Sequence, residues 1–597
     1  MKKRFLVTTA LSESIDRKEP LLLLGEWCRS SFTDKKNIKY DLTVLTYHWD
    51  DREKLHKDFL YLDELYEKLL VELTNKLNEI HGTNHRIKYW RILIGPWLAY
   101  FIQIIFDRWS CIHLANTNFQ LLSTSILDFK EHSFVPKGMK DFTKFIVSDD
   151  WNHFIYSHII KNYTNIIYTN TPTEKKFVKI HHAQNLNFQR RIKKYLLDKV
   201  NYITNIFIKK DDALFLNTYL PIKSNIALSL KMSQAPSFFD YQNNFNFDEI
   251  GVEKNKRTWT LNGSNKNEFE TFARSIIPKQ IPILYLEGYN YLLNKVNDLP
   301  WPSEPKIIFT SSSYSTDDKF KLYTANKNEK GTPLVIGQHG GGIGTHKFAF
   351  YEKHQIEISD LYLTWGWKDT SRPKLKAVGQ LKEKKPLTLK SKLKNRILLT
   401  ALNMPFQSSH LYSAPISSQV LYYFNDQCKF IDNLNPTLKN KLIIRLKYVE
   451  KNFEPSLKRW KEKFPKITID EGSTNLDKLI KKSKIFVSTY NGTTFLESFS
   501  MNIPTIIFWD PKYWEINKSA EKYFNQLKKV GVFHDNPESA AKHINKIWND
   551  VDAWWESKEV KASVDTFQNY YCYKPKKFVD RIYSELQKVI KTSKNKN

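Results

Sequence analysis

Two stretches of this sequence join residue types that do chemistry with a spacing that would present them to a ligand. The first is Gln338-His339-Gly340-Gly341-Gly342-Ile343-Gly344-Thr345. It follows the apolar run Pro333-Leu334-Val335-Ile336, which reads as a buried strand ending in a glycine turn. Four glycines in eight residues let the backbone reach positive φ and let a ligand approach the main chain closely. A histidine held near exposed N–H groups could act as a general base or bind an anion. The plainer reading is a tight strand-to-helix turn whose histidine only hydrogen-bonds the backbone. His339 is thus the candidate for proton transfer, with Gln338, Gly340, Gly341 and Gly342 candidates for substrate contact.

The second stretch runs from Ile485 to Glu497. A strand ends at Ser488, Asn491-Gly492 forms a turn, and a helix starts at Thr493-Thr494. Helix N-termini carry free N–H groups and a positive dipole end, so this is a ready phosphate site supplemented by two hydroxyls. Glu497, one helical turn on, could reach a ribose hydroxyl. Thr494-x-x-Glu497 also fits an ordinary capping box, and a capped helix can still bind phosphate. Upstream, the strand Leu442–Leu446 delivers Arg445 and Lys447, which could neutralise a nucleotide phosphate or simply be solvated charges at a strand end. A further carboxylate, Glu26, follows the apolar run Leu21–Leu24, and the C-terminal edge of such strands is where open α/β sheets present functional groups. A salt-bridged loop acid is the plainer reading for Glu26.

Elements to position these groups are legible. Arg4–Leu11 and Leu21–Leu24 read as buried strands, and residues 51–81 and 89–112 as helices covering them. Residues 116–210 are rich in Asn, Lys, Thr and aromatics and read as an acceptor-facing insertion. From residue 269 helices and short apolar strands alternate, as in a doubly wound parallel sheet. The charged stretch 381–394 reads as a linker, and a second alternating set follows with strands near 396, 442, 467, 485 and 505. The expected domains are therefore 1–380 on the acceptor side, 395–560 on the nucleotide side, and a C-terminal helical segment, 561–597. Two Rossmann-like domains facing a cleft, with helical additions in the first, form the GT-B arrangement.

Composition narrows the partners. At 597 residues with 41% hydrophobic and 14% aromatic content, the chain can build two or three packed domains. Lys and Arg number 92 against 63 Asp and Glu, a net charge of +29, which favours polyanions: nucleotide phosphates, an anionic membrane surface or nucleic acid. No RNA-binding signature, zinc knuckle or helix-turn-helix pattern supports nucleic acid. Four dispersed cysteines without CxxC spacing suit a reducing cytoplasm and give no metal signal. The N-terminus turns polar too soon for a signal peptide. The longest uncharged run, Ile92–Phe106, is 15 residues, short of the roughly 20 that span a bilayer, and reads as a buried helix. The acidic pairs Asp149-Asp150, Asp211-Asp212 and Asp317-Asp318 read as loop or helix-cap acids rather than metal ligands, so neither metal nor cofactor is expected.

Arg445-Leu446-Lys447-Tyr448, the run Asn475 to Thr494, and Pro504-Thr505-Ile506-Ile507-Phe508 together resemble the donor half of the cytidine-nucleotide GT-B transferases. These include CDP-glycerol glycerophosphotransferases, capsule Kdo transferases and bacterial sialyltransferases. The usual Lys/Arg-x-His-Pro and adjacent serines are replaced here by Lys447-Tyr448 and Thr493-Thr494. A His-Gly pair before the linker supplies the base in the teichoic-acid members, and His339-Gly340 stands at the matching place. More closely, Leu22 to Cys28, Tyr89 to Leu98, Gln338 to Gly342 and Leu363 to Trp367 resemble a family of transferases encoded in bacterial O-antigen and capsule loci. The resemblance implies a metal-independent glycosyltransferase that moves a sugar, an acidic one such as a nonulosonic acid or Kdo, from a CMP-type donor to a surface-polysaccharide acceptor. It further implies a cytoplasmic protein lying peripherally at the inner face of the cell membrane. The alternatives are a CDP-alditol phosphotransferase and a non-catalytic basic protein that binds glycan or nucleic acid.

Overall fold

The computed structural model describes residues 2–32, 40–130, 132–173, 206–236, 250–264, 266–382, 394–446 and 456–595, with the single residues 204, 384 and 386. Its described strands form three parallel sheets. The first contains β1 (Arg4–Val7), β2 (Leu21–Leu23), β3 (Leu42–Val44), β4 (Leu121–Asp128) and β5 (Tyr168–Pro172), in the order β3-β2-β1-β4-β5. The second contains β6 (Leu214–Leu216), β7 (Ile308–Thr310), β8 (Leu334–Gly337), β9 (Leu361–Thr364) and β10 (Leu375–Ala377), ordered β10-β9-β8-β7-β6. The third contains β11 (Ile397–Ala401), β12 (Leu442–Leu446), β13 (Thr468–Asp470), β14 (Ile485–Ser488), β15 (Thr505–Phe508) and β16 (Phe533–His534). Its order, β13-β12-β11-β14-β15-β16, is the Rossmann order, with the reversal between β11 and β14 where such sheets bind ligands.

The single doubly wound sheet expected for residues 1–380 is thus corrected to two sheets. The reason lies in the unrecognised strands: β3 is only half-buried, β4 carries Ser123, Thr124 and Ser125, and β5 is Tyr-Thr-Asn-Thr-Pro, largely exposed. None shows the apolar run that marks a buried strand. One helix, Ile87–Asn118, unites the two sheets. It packs against Arg52–His81 and Asp149–Tyr163 on the first side, and Asp318–Glu329 and Phe350–Ile358 on the second. It is long and apolar enough to cross a membrane by length and composition, longer than the 15-residue run suggested, but 83% of its most apolar window is buried inside the protein.

That helix also carries a buried charge pair. Asp107 and Arg108 are each 1% exposed or less and salt-bridge each other. Arg108 also donates to Asn152 Oδ1 (2.7 Å), Ser408 Oγ (2.6 Å) and Ser408 O (2.9 Å). Asp107 accepts from Tyr47 (2.7 Å), His48 (2.9 Å) and Ser408 (2.8 Å). Burial raises the Asp107 carboxyl, but the Arg108 charge and the bonds from His48 and Tyr47 outweigh it and hold the group well below the ordinary range. Ser408 belongs to the loop after β11, so the pair ties the first sheet to the third. Arg52 adds to the tie through Glu515 (2.7 Å) and Gln419 (2.9 Å).

The C-terminal helices do not form a separate body. Tyr573 N–H donates to Trp365 O (2.9 Å) and its carbonyl accepts from Gln380 N–H (3.0 Å). Helix Phe578–Lys594 then packs on Ile222–Lys231 beside the second sheet. The chain therefore starts and ends on the same half, with the third sheet facing it across a cleft, which is the GT-B architecture.

Candidate functional site

β8 and β14 deliver the two sequence stretches to each other across this cleft. Gly341 N–H donates to Thr493 Oγ1 (3.2 Å), and Asn491 Nδ2 donates to Thr345 Oγ1 (3.0 Å). A Cβ on Gly341 would lie 2.4 Å from the Gly492 carbonyl oxygen, so only glycine lets the two backbones meet here. The far end of the loop is stitched to the loop after β15: Asn517 N–H donates to Thr345 O (2.8 Å), and His346 and Ile516 form an antiparallel bridge. Of the four loop glycines only Gly344 has positive φ (79°). Close approach, more than a left-handed turn, is what the others provide.

Several predicted substrate contacts turn out to be scaffold. Gln338 is 1% exposed; its Oε1 accepts from Trp365 N–H and Trp367 Nε1 (both 2.9 Å), and its Nε2 donates to Gly340 O (2.8 Å). Every capacity of that amide faces the protein, so Gln338 shapes the loop rather than touching substrate. Asn491, 4% exposed, is likewise committed to Thr345. Gly341 and Gly342 are buried beneath Thr493 and His346, leaving half-buried Gly340 as the loop glycine beside accessible space.

The helix Thr493–Ser500 starts from Gly492 with no side-chain cap, which overturns the capping-box alternative. Thr494 Oγ1 instead donates to Tyr490 OH (3.0 Å). The first N–H groups of this helix thus carry no side-chain cap and lie beside the glycine loop, a helix start of the kind that favours an anion. Glu497, 8% exposed, lies 3.8 Å from Lys384 Nζ; burial raises its carboxyl while Lys384 and Lys382 draw it back.

Arg445 is not the free cation expected. It salt-bridges Asp470 at the β12–β13 edge, because that register sets the two residues side by side. Lys447 lies outside the described residues. The cation that the sequence reading missed is Lys382, in the stretch read as linker. It sits over the Tyr219 ring (4.5 Å), and its charge acts on both His339 and Glu497. Nothing local distinguishes Lys382 from the lysines that follow it.

His339 is half-buried, with Tyr314 OH 3.5 Å from Nδ1 and a hydrogen bond to the Gln355 side chain. Burial pushes its imidazole down to about 4, the Gln355 bond opposes this, and Lys382 adds to it. The ring is therefore neutral at pH 7 and able to accept a proton. Glu352, a second missed residue, accepts from Gly344 N–H (2.8 Å), and burial raises its carboxyl to about 7. Glu26 forms a 2.5 Å ion pair with Arg29, in a 3₁₀ turn that packs on Ser417–Gln419 of the other half. The acidic pairs serve as caps and ties: Asp317 caps its helix and Asp212 accepts from Lys209 N–H (2.9 Å).

Among solved structures the chain is similar to the wall teichoic acid polymerase TagF with CDPG, at 12% identity over 68% of this chain and 96% of that one, with a TM-score of 0.30. It is similar to Thermobaculum terrenum O-GlcNAc transferase at 8% identity, covering 92% and 100% of the two chains, TM-score 0.33. TarM matches at 12% identity over 48% of this chain, TM-score 0.30, and the chain spans about half (54%) of TarM's length. No curated protein matches the sequence. A family profile described as LIC12162 family transferase matches residues 4–586, and the chain belongs to that family of transferases.

Proposed function

We propose that this transferase moves a sugar from a nucleotide donor to a glycan acceptor, with His339 taking the proton of the attacking hydroxyl. The observation that carries the reading is the meeting of the His339 loop with the uncapped Thr493 helix across the cleft. One side offers a neutral imidazole and the other a set of N–H donors for the leaving phosphate. Lys382 supplies the positive charge first assigned to Arg445, while Lys384 is held by Asp477 (2.8 Å). The resemblance of the donor half to cytidine-nucleotide enzymes supports a CMP donor and an acidic transferred sugar, with Lys382 as the cation for its carboxylate.

CMP or CDP should raise the melting temperature more than UDP or GDP. A ligand at 100 times its Kd adds about 2.7 kcal/mol. The Thr493→Ala/Thr494→Ala pair should weaken that binding by roughly 1–3 kcal/mol, as for lost bonds to a charged group. Lys382→Ala should weaken it too and flatten its salt dependence. A shift with UDP alone would overturn the cytidine assignment, and unchanged CMP affinity in the folded threonine double variant would reduce the turn to scaffold.

We further propose cytoplasmic, peripheral association with anionic membranes, motivated by the net charge of +29. Each well-placed Lys or Arg contributes about 1 kcal/mol near such a surface. Co-sedimentation with phosphatidylserine-containing liposomes should be strong at low salt and fade as salt rises. Full recovery in the supernatant at low salt would assign the charge elsewhere.

A further inference from the structure

Beside His339 lies a wall of phenol and imidazole rings that the proton-transfer scheme does not use. Tyr100 comes from the central helix, Tyr314 from the turn after β7, Tyr351 from helix Phe350–Ile358, and His410 and Tyr412 from the loop after β11. Their rings follow one another closely: Tyr100–His410 5.3 Å, His410–Tyr412 4.7 Å, Tyr412–Tyr351 6.2 Å, Tyr351–His339 6.1 Å and His339–Tyr314 6.4 Å between centroids. Tyr100, Tyr351, His410 and Tyr412 are half-buried, so each keeps some accessible surface. Burial first, and neighbouring phenols second, raise the Tyr100, Tyr314 and Tyr351 hydroxyls. The Tyr100 and Tyr412 hydroxyls have no hydrogen-bond partner among the described residues.

We propose that Tyr100, Tyr314, Tyr351, His410 and Tyr412 form the subsite for an uncharged pyranose ring of the acceptor, with His339 at its edge facing the attacking hydroxyl. The inference rests on the glycosyl-transfer reading and names the accepting group. A pyranose has an apolar C–H face and a rim of hydroxyls. Aromatic faces match the first, and phenols and imidazoles, each able to donate or accept, match the second. Charge decides the class. Among the described residues no lysine or arginine acts on Tyr100, Tyr412 or His410, and burial lowers His410 to about 4, which leaves it neutral. A uronate or phosphate seated on Tyr100, His410 and Tyr412 would lose its hydration with no cation acting on those groups, Lys382 acting instead on His339 at the edge.

The test is saturation-transfer NMR on the full chain with methyl glycosides of neutral hexoses and N-acetylhexosamines, against methyl glucuronide. Neutral glycosides should give ring-proton signals that persist with saturating CMP, and the glucuronide should bind at least tenfold more weakly. Tyr100→Leu and Tyr412→Leu should each weaken neutral-glycoside binding at least tenfold while the CMP-induced melting shift stays, which shows the variants folded. Equal or tighter glucuronide binding, or unchanged glycoside binding in both leucine variants, would overturn the subsite. Displacement of the glycoside by CMP would assign the ring to the donor and overturn the acceptor assignment. Glycoside binding without any nucleotide shift in the wild-type protein would sink the donor reading and leave the subsite standing, so the two fail separately.

Discussion

His339→Ala should lower kcat by about 10²–10⁴-fold, the usual contribution of a positioned general base, with CMP affinity and melting temperature near wild type. The residue stands between the Tyr314 hydroxyl and Gln355, with the Tyr351 ring 6.1 Å away, beside the uncapped Thr493 helix. Its depressed pKa makes a second, sharper expectation. An ordinary histidine would protonate and fail near pH 6.5, but this one stays neutral until about 4. The acid limb of kcat/KM should therefore lie near pH 4, provided that the protein remains folded there. Glu26→Gln should leave turnover nearly unchanged if the Glu26 carboxylate serves only its ion pair with Arg29. Near-normal turnover in folded His339→Ala would end the base assignment. If Glu26→Gln were inactive in the same assay, the role would pass to Glu26.

The largest effect on stability should come from Arg108→Met, at about 3–5 kcal/mol, the cost of leaving a buried charge without its partner. The variant would strand Asp107, whose two oxygens would keep only Tyr47, His48 and Ser408 as donors. It would also remove both Arg108 bonds to Ser408, leaving that loop tied to the central helix through Asp107 alone, and so loosen the first sheet from the third. Urea unfolding followed by tryptophan fluorescence reads the loss. Asp107→Asn/Arg108→Met should cost less than Arg108→Met alone, because no isolated charge remains. A cost below about 1 kcal/mol for the single variant would show that the pair contributes little to holding the halves together. The same cluster brings His48, Asp107 and Cys111 ligand atoms within 4.8 Å of one another, but the carboxylate is already committed to Arg108, Tyr47, His48 and Ser408.

The sequence by itself determined the elements whose signal is local. β8, β14 and β15 are short, almost wholly apolar runs, β12 is one broken only by Arg445, and all four appear where that pattern put them. The glycine loop and the Thr493 turn were legible for the same reason: a strand end, a turn and a helix start are all written within about ten residues. Strands β3, β4 and β5 were not, since β3 is only half-buried, β5 largely exposed and β4 polar at its centre, and pairing within the sheet rather than an apolar run makes them strands. What only the tertiary structure decided is which side chains keep a free face. Arg445 and Asp470 are 25 residues apart, and the β12–β13 register alone brings them together and removes the cation. Gln338 and Asn491, apt for a ligand by type, are claimed by Trp365, Trp367 and Thr345. Lys382 and the tyrosines at 100, 314, 351 and 412 enter the cleft from five separate segments. Spacing rules operate within one helix or strand, whereas a cleft is assembled by strand order and helix packing between segments distant in sequence. The chemistry of its floor was therefore readable, and the chemistry of its walls was not.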